Sequence, residues 1–198
     1  MPLTANFDAQ SGGYTKSVFA SSSKTPRYTV GLTGTVYLPH RLGIEVDAQY
    51  RRLNYDWFNV SYPSANDAGV ISTWTAAAGN RLDIPVMLKW APARWLYTVG
   101  GFADAVHFGF NERSHTVADL VLAGHSDRTT DTSTPFAQRW STGVTFGVGI
   151  DAPAGGLHIR PEVRYTHWIS PAFDTYVFLA PATEQVDLLV GFEFGGRR

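Results

Sequence analysis

The feature that most constrains this chain is an alternation. In "LGIEVDAQY" (42–50), Leu42, Ile44, Val46, Ala48 and Tyr50 share one phase, and Gly43, Glu45, Asp47 and Gln49 share the other. Successive side chains of a strand point to opposite faces, so this segment has one oily face and one charged face. The same period recurs at 28–38, 81–90, 142–151, 157–165 and 185–194, with a blurred copy over 95–108. Seven strand candidates and no helical periodicity predict an all-β chain.

The connections carry the second signal. "PHR" (39–41), "APAR" (91–94) and "APAGG" (152–156) are tight turns, whereas 54–79, 109–138 and 169–183 are long polar stretches, read as loops. Short connections on one end and long ones on the other predict an up-and-down barrel. Seven strands cannot close such a barrel with both ends on the same side. The polar stretch 9–26, read as another long loop, therefore requires an earlier strand, and "MPLTANF" is shorter than the roughly 9–11 residues that a tilted membrane strand needs. The expectation is one domain over 1–198: an eight-stranded antiparallel up-and-down transmembrane β-barrel, its first strand mostly missing from this chain.

Composition is compatible with that expectation and excludes several others. Net charge is -1, which gives no field for nucleic acid, and no nucleic-acid partner is expected. Without cysteine there is no disulfide, thiol nucleophile or thiolate metal site. No apolar run approaches the roughly 18 residues of a membrane helix, a test that a membrane β-barrel passes unnoticed.

Periodicity alone does not say which face is wet. A soluble lipocalin-like ligand-binding barrel turns its apolar face inward, and a membrane barrel turns it outward. Three observations favour lipid outside. Charges on the polar phase balance: Arg51, Arg81, Lys89, Arg139, Arg160 and Arg164 against Glu45, Asp47, Asp83, Asp104, Glu162, Asp187 and Glu193. Such balance suits an enclosed lumen where ions must pair. The polar phase is also rich in Gly and Thr, including Gly31, Thr33, Gly143, Thr145, Gly147 and Gly149, as a narrow interior requires. Finally, aromatics gather near strand ends. Tyr50, Trp90, Trp95, Tyr97, Trp140, Tyr165, Phe192 and Phe194 read as an interfacial girdle, with Trp168 beside them.

The stretches "RYTVGLTGTVYL", "RLDIPVMLKW", "RPEVRYTHW" and "VDLLVGFEF" resemble the bacterial outer-membrane β-barrel domain family, small porin-like barrels of OmpA and OmpX architecture. The resemblance spans 27 to 194. It implies a bacterial outer-membrane location, contact with outer-membrane lipids and the barrel-assembly machinery, and no shared catalytic residue or cofactor. Pro85 and Pro161 each remove a ladder donor, so a bulge is expected at each.

No constellation points firmly to an enzyme. His167 and Ser170 in "RYTHWIS" invite comparison with lipid-modifying outer-membrane enzymes, but Asp174 is the sole nearby acid, and an interfacial His is the preferred reading. His107, His115, His125 and His158 lack ligand spacing, so no metal is expected. Trp57, Phe58, Tyr62 and Trp74 either meet a partner or pack the loop bases, the latter preferred. The residues given a physical role are a lumen charge network of Glu45, Asp47, Arg51, Arg81, Asp83, Lys89, Arg160, Glu162, Arg164, Asp187 and Glu193. The expected protein is structural or binds an extracellular ligand or protein through its loops. A narrow porin-like channel is the alternative, with a lipid-modifying enzyme or a soluble lipocalin-like barrel behind it.

Overall fold

The tight turns lie where Pro and Gly sit. The structure, a computed structural model, describes residues 16–23, 28–62, 69–133, 139–170 and 183–194. Among these are ten strands and no α-helix: β1 Lys16–Ser23, β2 Val30–Tyr37, β3 Leu42–Tyr62, β4 Gly69–Trp90, β5 Leu96–Leu120, β6 Gly124–Thr132, β7 Trp140–Ile150, β8 Ala152–Ala154, β9 Leu157–Trp168 and β10 Glu184–Phe194. At 39–41 the chain reverses through left-handed backbone at His40 (φ 62°) and Arg41 (φ 64°). That conformation is costly for non-Gly residues. It is held by Ala91 N–H donating to Arg41 O (3.0 Å) and Arg41 Nη1 donating to Pro92 O (2.8 Å). Gly155 and Gly156, both at positive φ, form the two-residue turn between paired Ala154 and Leu157.

The chain forms two compact units. The second comprises residues 29–51, 81–107 and the chain from 137 onward. Its strand order is β2-β3-β4-β5-β7-β9-β10, with β8 on β9, and the sheet is antiparallel and nearly closed into a barrel. β2 pairs with the first half of β3 from Val30↔Tyr50 to Tyr37↔Gly43. β5 pairs with β7 from Leu96↔Ile150 to Val106↔Trp140, and β9 with β10 from Leu157↔Phe194 to His167↔Glu184. All seven segments expected as strands are strands.

The first unit takes β1, the second half of β3, the first half of β4, the second half of β5, and β6. Here the expectation of loops at 9–26, 54–79 and 109–138 is corrected: 16–23 and most of 54–62, 69–79 and 109–132 are strand. β1 pairs with β3 from Lys16↔Tyr62 to Ser23↔Tyr55, and β5 with β6 from Glu112↔Thr132 to Leu120↔Gly124. Segments such as "WFNVSY" and "VISTWT" have the β-branched and aromatic residues of strands. Both of their faces carry polar groups, so no apolar period marks them. Of the expected loop at 169–183, residues 171–182 lie outside the described residues.

Two local features set side-chain phase. Gly109 (φ +63°) acts as a bulge in β5. Before it the odd positions Tyr97, Val99, Ala103, Ala105 and His107 are buried, whereas beyond it Ala118 is buried, with Ser114 and Thr116 facing Thr75 and Thr73. The expected bulges at the prolines are corrected. Burial keeps its period of two through Asp83, Pro85, Met87 and Lys89, and through Arg160, Glu162 and Arg164. At Pro161 the β7–β9 ladder stops at Gly149↔Glu162 and resumes on β8 at Ala152↔Ile159 in the same register. A bond is omitted there, but no residue is inserted.

Candidate functional site

Within the second unit the enclosed side is ionic. On β3, Glu45 and Asp47 are buried by strand alternation, flanked by exposed Ile44 and Val46. Glu45, 1% exposed, accepts at Oε2 from Lys89 Nζ (3.1 Å), Arg160 Nη2 (2.8 Å) and Thr35 Oγ1 (3.2 Å). Arg160 Nη1 also donates to Glu193 Oε2 (3.0 Å), and Tyr37 OH to Glu193 Oε1 (2.7 Å). Arg164 donates from Nη1 to Asp47 Oδ2 (2.5 Å) and from Nε to Glu162 Oε1 (2.7 Å), and its Nη2 lies 3.7 Å from Glu45 Oε1. A second tier joins Arg51 Nη2 to Asp187 Oδ1 (3.0 Å) and Asp83 Oδ2 (3.8 Å), with Arg81 Nε donating to Asp83.

All of the expected network residues thus lie in these two tiers, six carboxylates against five cations. A buried charge is tolerable only when paired and hydrogen-bonded, and here most pairs join different strands, with Arg81–Asp83 within β4 and Arg164–Glu162 within β9. Asp47 Oδ1, Arg51 Nε, Arg81 Nη2 and Arg160 Nε are buried without a hydrogen-bond partner among the described residues.

The aromatic girdle divides. Tyr50, Trp90, Trp95, Trp140, Tyr165 and Phe192 are exposed. The side chain of Phe194 lies outside the described residues. Tyr97 is a correction: it is 1% exposed, and its OH donates to Glu162 Oε2 (3.0 Å). Lys89 Nζ lies 4.1 Å from the centre of its ring and the Arg160 guanidinium carbon 4.7 Å, a cation–π arrangement. The physical reason is phase: Tyr97 is cross-strand from Gly149, where a Cβ would overlap the ring. A Gly opposite an aromatic of the polar phase is the sequence signal that finds it. Trp168 is likewise enclosed, its Nε1 donating to Gln185 Oε1 (3.1 Å) with Arg81 stacked 4.1 Å over its ring. Asp104 and Arg139, expected on the polar phase, are exposed. In β5 the odd residues face inward, which puts Asp104 outside.

The two tiers leave a cavity of about 10 Å³, room for about one water, lined in part by Gln49, Asp83, Arg164, Trp168 and Asp187. The enclosed face sets these ions beside buried Met87, Val99, Ala103 and Ala105. His167 projects from the exposed face, while Ser170 Oγ accepts from Thr142 N–H (2.8 Å). Asp174 lies outside the described residues. His107 meets Ser141 Oγ (3.2 Å), His158 meets Asp151 (2.5 Å), and among the described residues no three metal-ligating side chains converge.

The first unit encloses hydroxyls instead. Thr73 bonds Thr116 (3.2 Å) and Thr75 bonds Ser114 (3.0 Å). Phe58 and Trp74 stack with centroids 4.9 Å apart, and His115 lies 5.9 Å from Trp74. Its ion pairs Arg113–Asp131, His115–Asp127 and His125–Asp119 are exposed. Hydrogen bonding to Asp119 raises the His125 pKa, and Arg113 lowers that of Asp131. Searches against protein-family models, curated proteins and solved structures gave no match to this chain.

Proposed function

We propose that the second unit is an eight-stranded barrel of the bacterial outer membrane, porin-like in family but plugged by its own side chains. The observation that carries this reading is inverted polarity. Leu32 and Leu188 are each 81% exposed, alongside Val30, Val86, Leu88, Phe102, Phe146, Val163 and Val190, while Glu45 and Arg164 are enclosed. An apolar belt of that extent is costly in water and favourable against acyl chains. β7, β9 and β10 have 11, 12 and 11 residues, close to the roughly 9–11 of a membrane-crossing strand. The exposed tryptophans and tyrosines then sit at the headgroup level.

Strand parity supports the count of eight. Six antiparallel steps lead from β2 to β10, so the two run in the same direction. They cannot complete an antiparallel ladder with each other, so closure takes one further strand of opposite direction. The role is structural or surface-interacting, with segments 54–79 and 109–138 outside the bilayer and open to an extracellular ligand or protein. Insertion is the task of the barrel-assembly machinery. Neither catalysis nor a cofactor is part of this reading.

The test is refolding into detergent micelles. A heat-modifiable gel shift, β-type circular dichroism and silence in planar bilayers are expected. Steady single-channel conductance would favour the narrow-pore alternative. A chain that stays monomeric and folded in buffer without detergent would overturn the membrane reading.

A further inference from the structure

One face of the first unit carries a pattern of rings and charges that its own packing does not use up. On the β5–β6 hairpin, directly paired residues share a face, and every second residue repeats it. Arg113↔Asp131, His115↔Thr129, Val117↔Asp127 and Asp119↔His125 therefore stand on one side. Trp74 joins them from β4, its ring 5.9 Å from that of His115, and Phe58 joins from β3, 4.9 Å from Trp74. The Thr73–Thr116 and Thr75–Ser114 bonds belong to the alternate residues and so to the opposite side.

The row Phe58–Trp74–His115 crosses three strands, and Trp74 is still 47% exposed between its two neighbours. Along β4 the next residues of its phase, Ser72 and Ala76, are small and leave the indole open. An open indole attracts cations, because its ring carries the negative end of a quadrupole. The charges beside the row have one sign in excess. Asp119, Asp127 and Asp131 stand against a single guanidinium, Arg113, while Arg128 belongs to the other phase. Arg113 is held by Asp131 at two points (2.6 and 3.1 Å), and Asp119 meets His125. Asp127, with its side chain 57% exposed, meets only the weaker partner of a histidine, His115 Nδ1 at 3.5 Å. Ring and carboxylate thus call for the same kind of group, and that group is a cation.

Resting on the surface-interaction reading above, we infer that this face binds a cationic polypeptide segment, with one lysine or arginine over Trp74 and another at Asp127. Such side chains suit both halves of the face. Their aliphatic stems cover Phe58 and Val117, and their charged heads reach ring and carboxylate. A neutral segment forfeits the charge, and an anionic one is repelled by Asp127.

The test titrates fluorophore-labelled pentalysine, pentaglutamine and pentaglutamate, by anisotropy, onto the chain refolded in a nonionic detergent and checked by its heat-modifiable shift. Pentalysine is expected to bind about tenfold tighter than pentaglutamine, with pentaglutamate weakest. Trp74→Leu should weaken pentalysine about threefold and Asp127→Asn about twofold. Asp104→Asn, which removes the same charge from the second unit, should leave pentalysine binding unchanged. If Trp74→Leu loses the shift, Asp127→Asn against Asp104→Asn decides alone. Equal binding of pentalysine and pentaglutamine overturns the inference, as does an equal loss in Asp104→Asn and Asp127→Asn, which would mean bulk charge only. Failure of the parent chain to give the heat-modifiable shift overturns the barrel reading itself.

Discussion

The two units use charge in opposite ways. In the second unit, Arg164 reaches Asp47 and Glu162 with side chains 4% exposed or less, and exposed leucines and valines stand outside them. In the first, Arg113 pairs with Asp131 on the surface, their side chains 70% and 63% exposed, while the enclosed groups are threonine and serine hydroxyls. β3, β4 and β5 contribute to both units, so one strand can change its enclosed chemistry along its length. An exposed pair is screened and contributes little. An enclosed pair is costly to form and far more costly to halve. The same residue types therefore act as fixed struts in one unit and as solvated decoration in the other.

The largest expected contrast comes from cutting one pair in each unit. Arg164→Met strands two buried carboxylates and should destabilise the refolded chain by about 3–5 kcal/mol in urea titration, whereas Arg113→Ala should leave the midpoint unmoved. Equal shifts would erase the distinction between the units. Next comes the outward face. Leu188→Arg should cost about 2–4 kcal/mol in lipid, the value for a cation at the bilayer midplane. Trp74→Arg in the first unit should lose no more than its ring contact with Phe58, about 1 kcal/mol.

A smaller effect sharpens the account of the enclosed space. Gly149→Ala pushes a methyl into the Tyr97 ring and should cost about 1–3 kcal/mol by overpacking. In a Tyr97→Ala background it should cost nothing further. The smallest effect is a pH dependence in the first unit. Asp119 raises the pKa of His125, so the folded hairpin holds the proton more tightly than the unfolded chain does. The resulting stabilisation is complete below the ordinary histidine pKa of about 6.5 and fades as pH rises through the raised value. The protection factors of the β5–β6 hairpin amides, which are exchange rates corrected for base catalysis, should therefore fall as pH rises above that value, and His125→Gln should remove the part of that fall due to this pair. An unchanged profile in His125→Gln would remove the pair from the account.

How legible all this was in the sequence depended on whether a face was apolar. Ile44 and Val46 announce the outward face of β3, and Glu45 and Asp47 follow as its complement. No apolar row exists in "GHSDRTTDT" of β6, so nothing in its periodicity separates it from a loop. Pairing with β5 makes it a strand, and pairing is a tertiary property. Tyr97 was misplaced because aromatics serve equally in girdles and interiors. Its register against Gly149 decides the matter, and register is not written in one strand alone. The prolines misled for a related reason: a missing ladder bond at Pro161 is tolerated as a gap, without an added residue.

The central claim, acyl chains outside and ions within, is most directly tested by spin labels on single cysteines at Leu188, Val46 and Phe102 in refolded bilayer samples. The account predicts strong broadening by oxygen and little by a water-soluble nickel chelate at all three, with the reverse at Trp74→Cys in the first unit. Ready access of the nickel chelate to Leu188, Val46 and Phe102 would contradict it.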